Sequence, residues 1–197
     1  MERTLGVMRR ISRWGLWFGG ALVLIAALLI GIDVVLRKFF IVSIGGADEL
    51  AGYSLAIGTA WGLAAALVDR AHIRIDSLYL LFPRLLRAIL DLVGLGLFIF
   101  FFSLMAWHGA GVVEQSWTSS SRSQSALQIP TVIPQSIWLA GLILFILAGV
   151  LLILDTLMKI SRRDFAGISR SVGIRSAEED VEEELAAIRR RQAAENA

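Results

Sequence analysis

The sequence contains no cysteine. Disulfides, cysteine-ligated zinc, iron–sulfur clusters and thiolate catalysis are therefore excluded. Histidine is nearly as scarce, with His72 and His108 the two present. Proline occurs three times, as Pro83, Pro130 and Pro134, and none falls inside a long apolar run. Charge is sparse as well. Asp, Glu, Lys and Arg make up 18% of the chain, against about 25% in an ordinary soluble domain. Positions 161–197 hold 15 of the 36 formal charges, so the rest of the chain is poorer still. A soluble globular enzyme, a disordered chain and a secreted disulfide scaffold are all excluded by this distribution. No internal repeat of 20–50 residues is visible.

Apolar residues make up 56% of the chain, and they are concentrated in runs near the ~20 residues that cross a bilayer as a helix. Four spans are expected, at about 15–36, 50–68, 89–107 and 134–157, forming a membrane domain over 1–160. Arg9, Arg10 and Arg13 precede the first run as in a signal peptide. That run is too long for a signal core, and no small-residue cleavage site follows, so it reads as retained. The third helix is expected to begin at Pro83 and continue toward Val113. Pro134 opens the fourth, since proline's missing N–H has no intrahelical partner in a first turn anyway. The chain is thus expected to be an all-α integral membrane protein.

Basic residues give the orientation. Thirteen Lys and Arg flank the N-terminus, the second loop and the segment after the fourth span; Arg37, Lys38 and Arg122 fall on the other side. Both termini are therefore expected in the cytoplasm. The overall +2 charge conceals a tail, 176–197, of net −4, leaving +6 on the remainder. That excess lies beside apolar spans and reads as membrane orientation, not nucleic-acid binding. Between the second and third spans, His72–Asp76 and the apolar run ending at Phe82 predict a short amphipathic segment on the inner surface. The outer stretch 114–133, rich in Ser, Thr and Gln, predicts an irregular loop. In the charged tail 161–197, Ser176 and Glu179 form a capping box for a helix over 177–191, either solvated or docking a partner.

Ionisable residues inside spans are functional candidates by default. Asp33, Asp91 and Asp155 each lie about one turn from a span end. Each has a base four residues away, at Arg37, Arg87 and Lys159, so interfacial pairing competes with a transport role. Asp48 and Glu49 open the second span, where the helix dipole favours an anion. Glu49 has no local base, and both readings stand. The span centres hold no charge and no broken helix, which a carrier of ions or carboxylates needs near the midplane. They offer small-residue ridges instead: Gly15–Gly19 on the first span, and Gly52, Ala56, Gly58, Ala60, Gly62 and Ala64 on the second. Trp14, Trp17, Trp107, Trp117 and Trp138 lie near expected interfaces. Trp61 lies among the small residues and reads as a packing knob. His72 and His108 are expected at opposite faces, roughly 30 Å apart, so one haem iron cannot take both. No cofactor, metal or catalytic residue is expected. A membrane anchor of a redox enzyme and a small autonomous carrier remain the alternative readings.

Taken in order, these features form a pattern. Glu49 lies in GADELAGYSLAIGTAW (46–61), which ends at Trp61. HIRID follows with His72 and Asp76, then LFPRLLR (81–87), then IPTVIPQSIW (129–138) into the last span. This order resembles the small DctQ-type membrane subunit of tripartite ATP-independent periplasmic (TRAP) transporters, over roughly residues 10–160. The resemblance implies a bacterial inner-membrane subunit that catalyses nothing. Its expected partners are membrane lipids, a large permease subunit carrying the sodium and substrate sites, and a periplasmic binding protein that delivers a solute, usually an organic acid. It further implies that Glu49, Trp61, His72 and Asp76 fix the fold and subunit interface. Arg37, Lys38 and Arg122 are the candidates for docking the binding protein.

Overall fold

The computed structural model describes residues 2–69 and 83–161, with Leu185, Ile188, Arg189 and Gln192 as isolated helical positions. The expected inner-surface segment, with His72 and Asp76, lies outside the described residues, as does nearly all of the expected tail helix. Among the described residues there are four helices: α1 (Glu2–Phe40), α2 (Ala47–Val68), α3 (Arg84–Thr118) and α4 (Val132–Ser161). All four are long and apolar enough to cross a membrane. Among the described residues there is no strand, although Arg122 and Pro130 form an isolated bridge.

The helices overrun the expected spans because hydropathy marks the hydrocarbon-soluble core of a helix and not its ends. The arginine-bearing segment before residue 15 continues α1 without a break. Pro83 sits just outside α3 as its N-cap, in extended conformation. α3 runs past Val113 to Thr118, so the connection to α4 is shorter than the predicted 114–133. The helix stops where Ser119 turns its hydroxyl onto the Gln115 carbonyl at 2.6 Å and Ser120 takes a positive φ of 49°. Pro134 falls in the first turn of α4, among positions whose N–H groups lack intrahelical acceptors.

In space the helices follow the order α1–α2–α4–α3. α2 packs against α1 and α4, α4 packs against α2 and α3, and α1 touches α4 marginally. The bundle is a row with α1 and α3 at its ends. Burial follows that order: 17% of the apolar window of α1 and 22% of that of α3 are covered, against 33% for each middle helix.

Lipid tails are as apolar as leucine, so close van der Waals packing must hold these seams. At the α1–α2 crossing, a Cβ placed on Gly19 would stand 2.8 Å from the Gly58 carbonyl oxygen. The two glycine ridges meet backbone to backbone there. Along α3 and α4 the seam is aromatic: Phe98, Phe102 and Phe145 meet edge to face, with centroids 4.8–5.4 Å apart. Phe145 is fully buried within a core that also holds Met8, Ala64, Leu67 and Leu95, drawn from all four helices.

Candidate functional site

The two connections, 41–46 and 119–131, meet on one rim of the bundle, with Gly46 against Leu127; the N-terminus of α1 and the end of α4 lie on the opposite rim. α1 ends at Phe40, and Ile41 takes a left-handed φ of 56°, a conformation costly for a β-branched residue. A clamp built on Asp33 holds the turn that follows. Its carboxylate is 1% exposed. It accepts from the Ile44 N–H at 2.7 Å, the Ser43 hydroxyl at 3.0 Å and Arg37 Nε at 2.7 Å. Asp33 and Arg37 also form an ion pair, and Asp48 stands 3.7 Å from the same guanidinium.

Glu49, in the first turn of α2, accepts from the Tyr53 hydroxyl one turn on. Ser123 and Ser125 of the second turn face the same carboxylate. Glu49 is therefore met by hydroxyl groups and not by a base: Tyr53 bonds to it, and two serines approach it from across the molecule. Tyr53 was visible at i+4 spacing. The serines had no signal beyond the loop's composition. The second turn is itself ordered. Ser123 donates its N–H to the Ile129 carbonyl at 2.9 Å, and its hydroxyl accepts from the Ile129 N–H at 3.0 Å. Gly46, at φ 123°, lies so close to it that a Cβ would stand 2.7 Å from Leu127. Glu49 thereby latches one turn to the other.

Of the basic candidates, Arg37 is engaged in the clamp. Lys38 is exposed, with its ammonium 5.8 Å from the Phe39 ring centroid. Arg122 is exposed and donates to the Gln128 carbonyl at 3.3 Å. Beside Lys38, Phe39, Phe40, Ile41 and Val42 form an apolar knob, with Ile41 93% exposed.

Trp61 lies about 18 Å along α2 from Glu49, so these two candidates do not share a site. It occupies the junction of three helices. Its indole N–H donates to the Ile137 carbonyl of α4 at 2.9 Å, and its ring meets Phe18 of α1 edge to face at 5.5 Å. The ring fits between Gly15 and Gly141, where added Cβ atoms would stand 2.9 Å and 2.7 Å from it. The Ile137 carbonyl already serves the α4 ladder with one lone pair and accepts the indole with its second. Sequence spacing marked the glycine ridges but not this bond.

Asp91 and Asp155 are buried, 4% and 6% exposed, and both are engaged in further interactions. The side chains of Arg87 and Lys159, their expected partners, lie outside the described residues. Between these end-on acids the helices present no ionisable group to one another, and among the described residues no cluster of His, Asp or Glu is placed to hold a metal. The exposed surface of the row is strongly apolar instead. On α3 alone, Leu97, Phe100 and Trp107 are each more than 60% exposed.

Comparison with known proteins agrees with this architecture. The family model described as "Tripartite ATP-independent periplasmic transporters, DctQ component" matches residues 26–158. That range takes in both end turns, Trp61 with its acceptor Ile137, and the α2–α4 and α4–α3 seams, and it begins after Gly15, Phe18 and Gly19 of α1. Neither a curated protein nor a solved structure gave a match. The chain belongs to the DctQ family and is a small membrane subunit of a TRAP transporter.

Proposed function

We propose that this subunit braces a large permease subunit during sodium-coupled uptake of an organic acid handed over by a periplasmic binding protein. It sits in the bacterial inner membrane with both termini in the cytoplasm and performs no chemistry of its own. The observation that carries this reading is the row itself. Its four helices have uncharged centres and close-packed seams, and broad apolar faces are left open along its length. A carrier places polar groups or broken helices near the midplane; a brace needs stiffness and contact area. Glu49 and Trp61 supply stiffness by joining the turns and the helices, and the same part is assigned to His72 and Asp76.

The exposed Lys38 and Arg122, with the apolar knob at 39–42, form the surface assigned to docking of the binding protein. Arg37 belongs to it as well, although its engagement with Asp33 makes Lys38 the cleaner probe. Coexpression with the large subunit should yield a stable complex. Proteoliposomes holding both subunits should take up solute when given binding protein and a sodium gradient. Vesicles holding this chain alone should show none, and accumulation in them would overturn the reading. Lys38→Gln should lower uptake at unchanged assembly; unchanged uptake would remove that residue from the docking surface.

A further inference from the structure

Three arginines and two tryptophans line a recess on α1 that the bracing role does not use. Gly6, Arg9, Arg10, Arg13, Trp14 and Trp17 line it. Their spacing repeats at three and four residues, so they form one stripe along the helix. The stripe faces away from α2: the residues α1 buries are Met8, Ser12, Gly15, Gly19, Ala26 and Asp33, on the opposite side. Trp14 and Trp17 are each 73% exposed. The surface below them continues through Leu24 and Leu28, 63% and 61% exposed, and past Gly20, which has open space around it. The stripe precedes residue 26, where the family match begins.

Depth decides what fits there. Arg13 and Arg37 lie about 36 Å apart along the helix, bracketing a hydrocarbon core about 30 Å thick. The arginines therefore lie at headgroup level, with the tryptophans at the boundary below and an apolar track beneath. Three guanidiniums converge on a phosphate with fork geometry that an ammonium lacks. An indole pair next to them covers a glycerol backbone, and an open apolar track accepts an acyl chain. We propose that this stripe is a binding site for an anionic phospholipid, its phosphate held by Arg9, Arg10 and Arg13 and its chain lying on Trp14, Trp17, Leu24 and Leu28. The acidic stretch 178–184 of the same chain is the competing occupant by charge, but its one apolar residue, Val181, is too small to cover two rings and the track.

The full chain in nanodiscs of phosphatidylcholine mixed equally with phosphatidylglycerol tests this. With bromine on the acyl chains of one lipid at a time, tryptophan fluorescence should be quenched more by phosphatidylglycerol. The preference should fall roughly fivefold for each arginine replaced by glutamine and vanish in R9Q/R10Q/R13Q. R9K/R10K/R13K should keep part of it, and W14F/W17F should remove the preferential part of the quenching and leave the unselective quenching of the exposed Trp107 and Trp117. Helical content by circular dichroism should stay unchanged throughout, since the stripe makes no helix seam. Equal quenching by both lipids, or a preference surviving in R9Q/R10Q/R13Q, overturns the site. A preference that emerges only when Glu178, Glu179, Asp180, Glu182, Glu183 and Glu184 are neutralised overturns it too, because the tail would then be the native occupant.

Discussion

A single methyl group separates two neighbouring glycines of α1. At Gly19 it would meet the Gly58 carbonyl at 2.8 Å, while at Gly20 it would meet nothing within 4 Å. Gly19→Ala must push two backbones apart and should cost about 1–3 kcal/mol, as overpacking does. Gly20→Ala should be neutral or slightly stabilising, because alanine is the better helix former. Thermal melts of the two variants in detergent compare the same chemical change one residue apart. Trp61 gives a graded test. Trp61→Phe keeps most of the ring but loses the donor to Ile137, a loss of about 1 kcal/mol. Trp61→Ala empties the three-helix junction and should cost about 3–5 kcal/mol. Equal melting of the two variants would mean that the bond, and not the ring, holds the junction.

Among the elements, the helices were the most legible part of the sequence, because twenty apolar residues have few other stable arrangements in a bilayer. Their ends were less legible. Hydropathy falls at the headgroups while hydrogen bonding continues, so α1 kept its arginine turns and α3 ran on to Thr118. The turns were least legible, since their order comes from contacts between segments far apart in sequence. Asp33 had been placed by its spacing to Arg37, and that pair is present; the hold on Ser43 and Ile44, ten and eleven residues on, had no local mark. Asp33→Asn should speed hydrogen exchange at the Ile44 amide and loosen the 41–46 turn. Asp48→Asn should leave it alone, because the Asp48 side chain is 82% exposed and 3.7 Å from Arg37. Glu49→Gln should loosen both turns together, since the serines that face the carboxylate belong to the second. Exchange measured by mass spectrometry over the two turn peptides distinguishes a local clamp from a latch between them.

For the molecule as a whole, the absence of native cysteine is an experimental asset. Single cysteines at Ser121 and at Thr4 should report the two opposite rims of the bundle. With both termini in the cytoplasm, an impermeant maleimide should label the Ser121 variant in intact cells and the Thr4 variant after permeabilisation alone. The reverse pattern would invert the assigned topology. The number of spans was legible from the chain; their neighbour order α1–α2–α4–α3 was not, because small-residue ridges reveal that a helix packs closely without naming its partner. The same ambiguity hid the use of Trp61, which hydropathy treats as one more apolar side chain.

A palisade one helix deep has no lumen. If the row braces a carrier as proposed, the solute's path belongs to the partner. Substitutions that change what is carried should then map to that partner, and substitutions in this chain should change how steadily it is held.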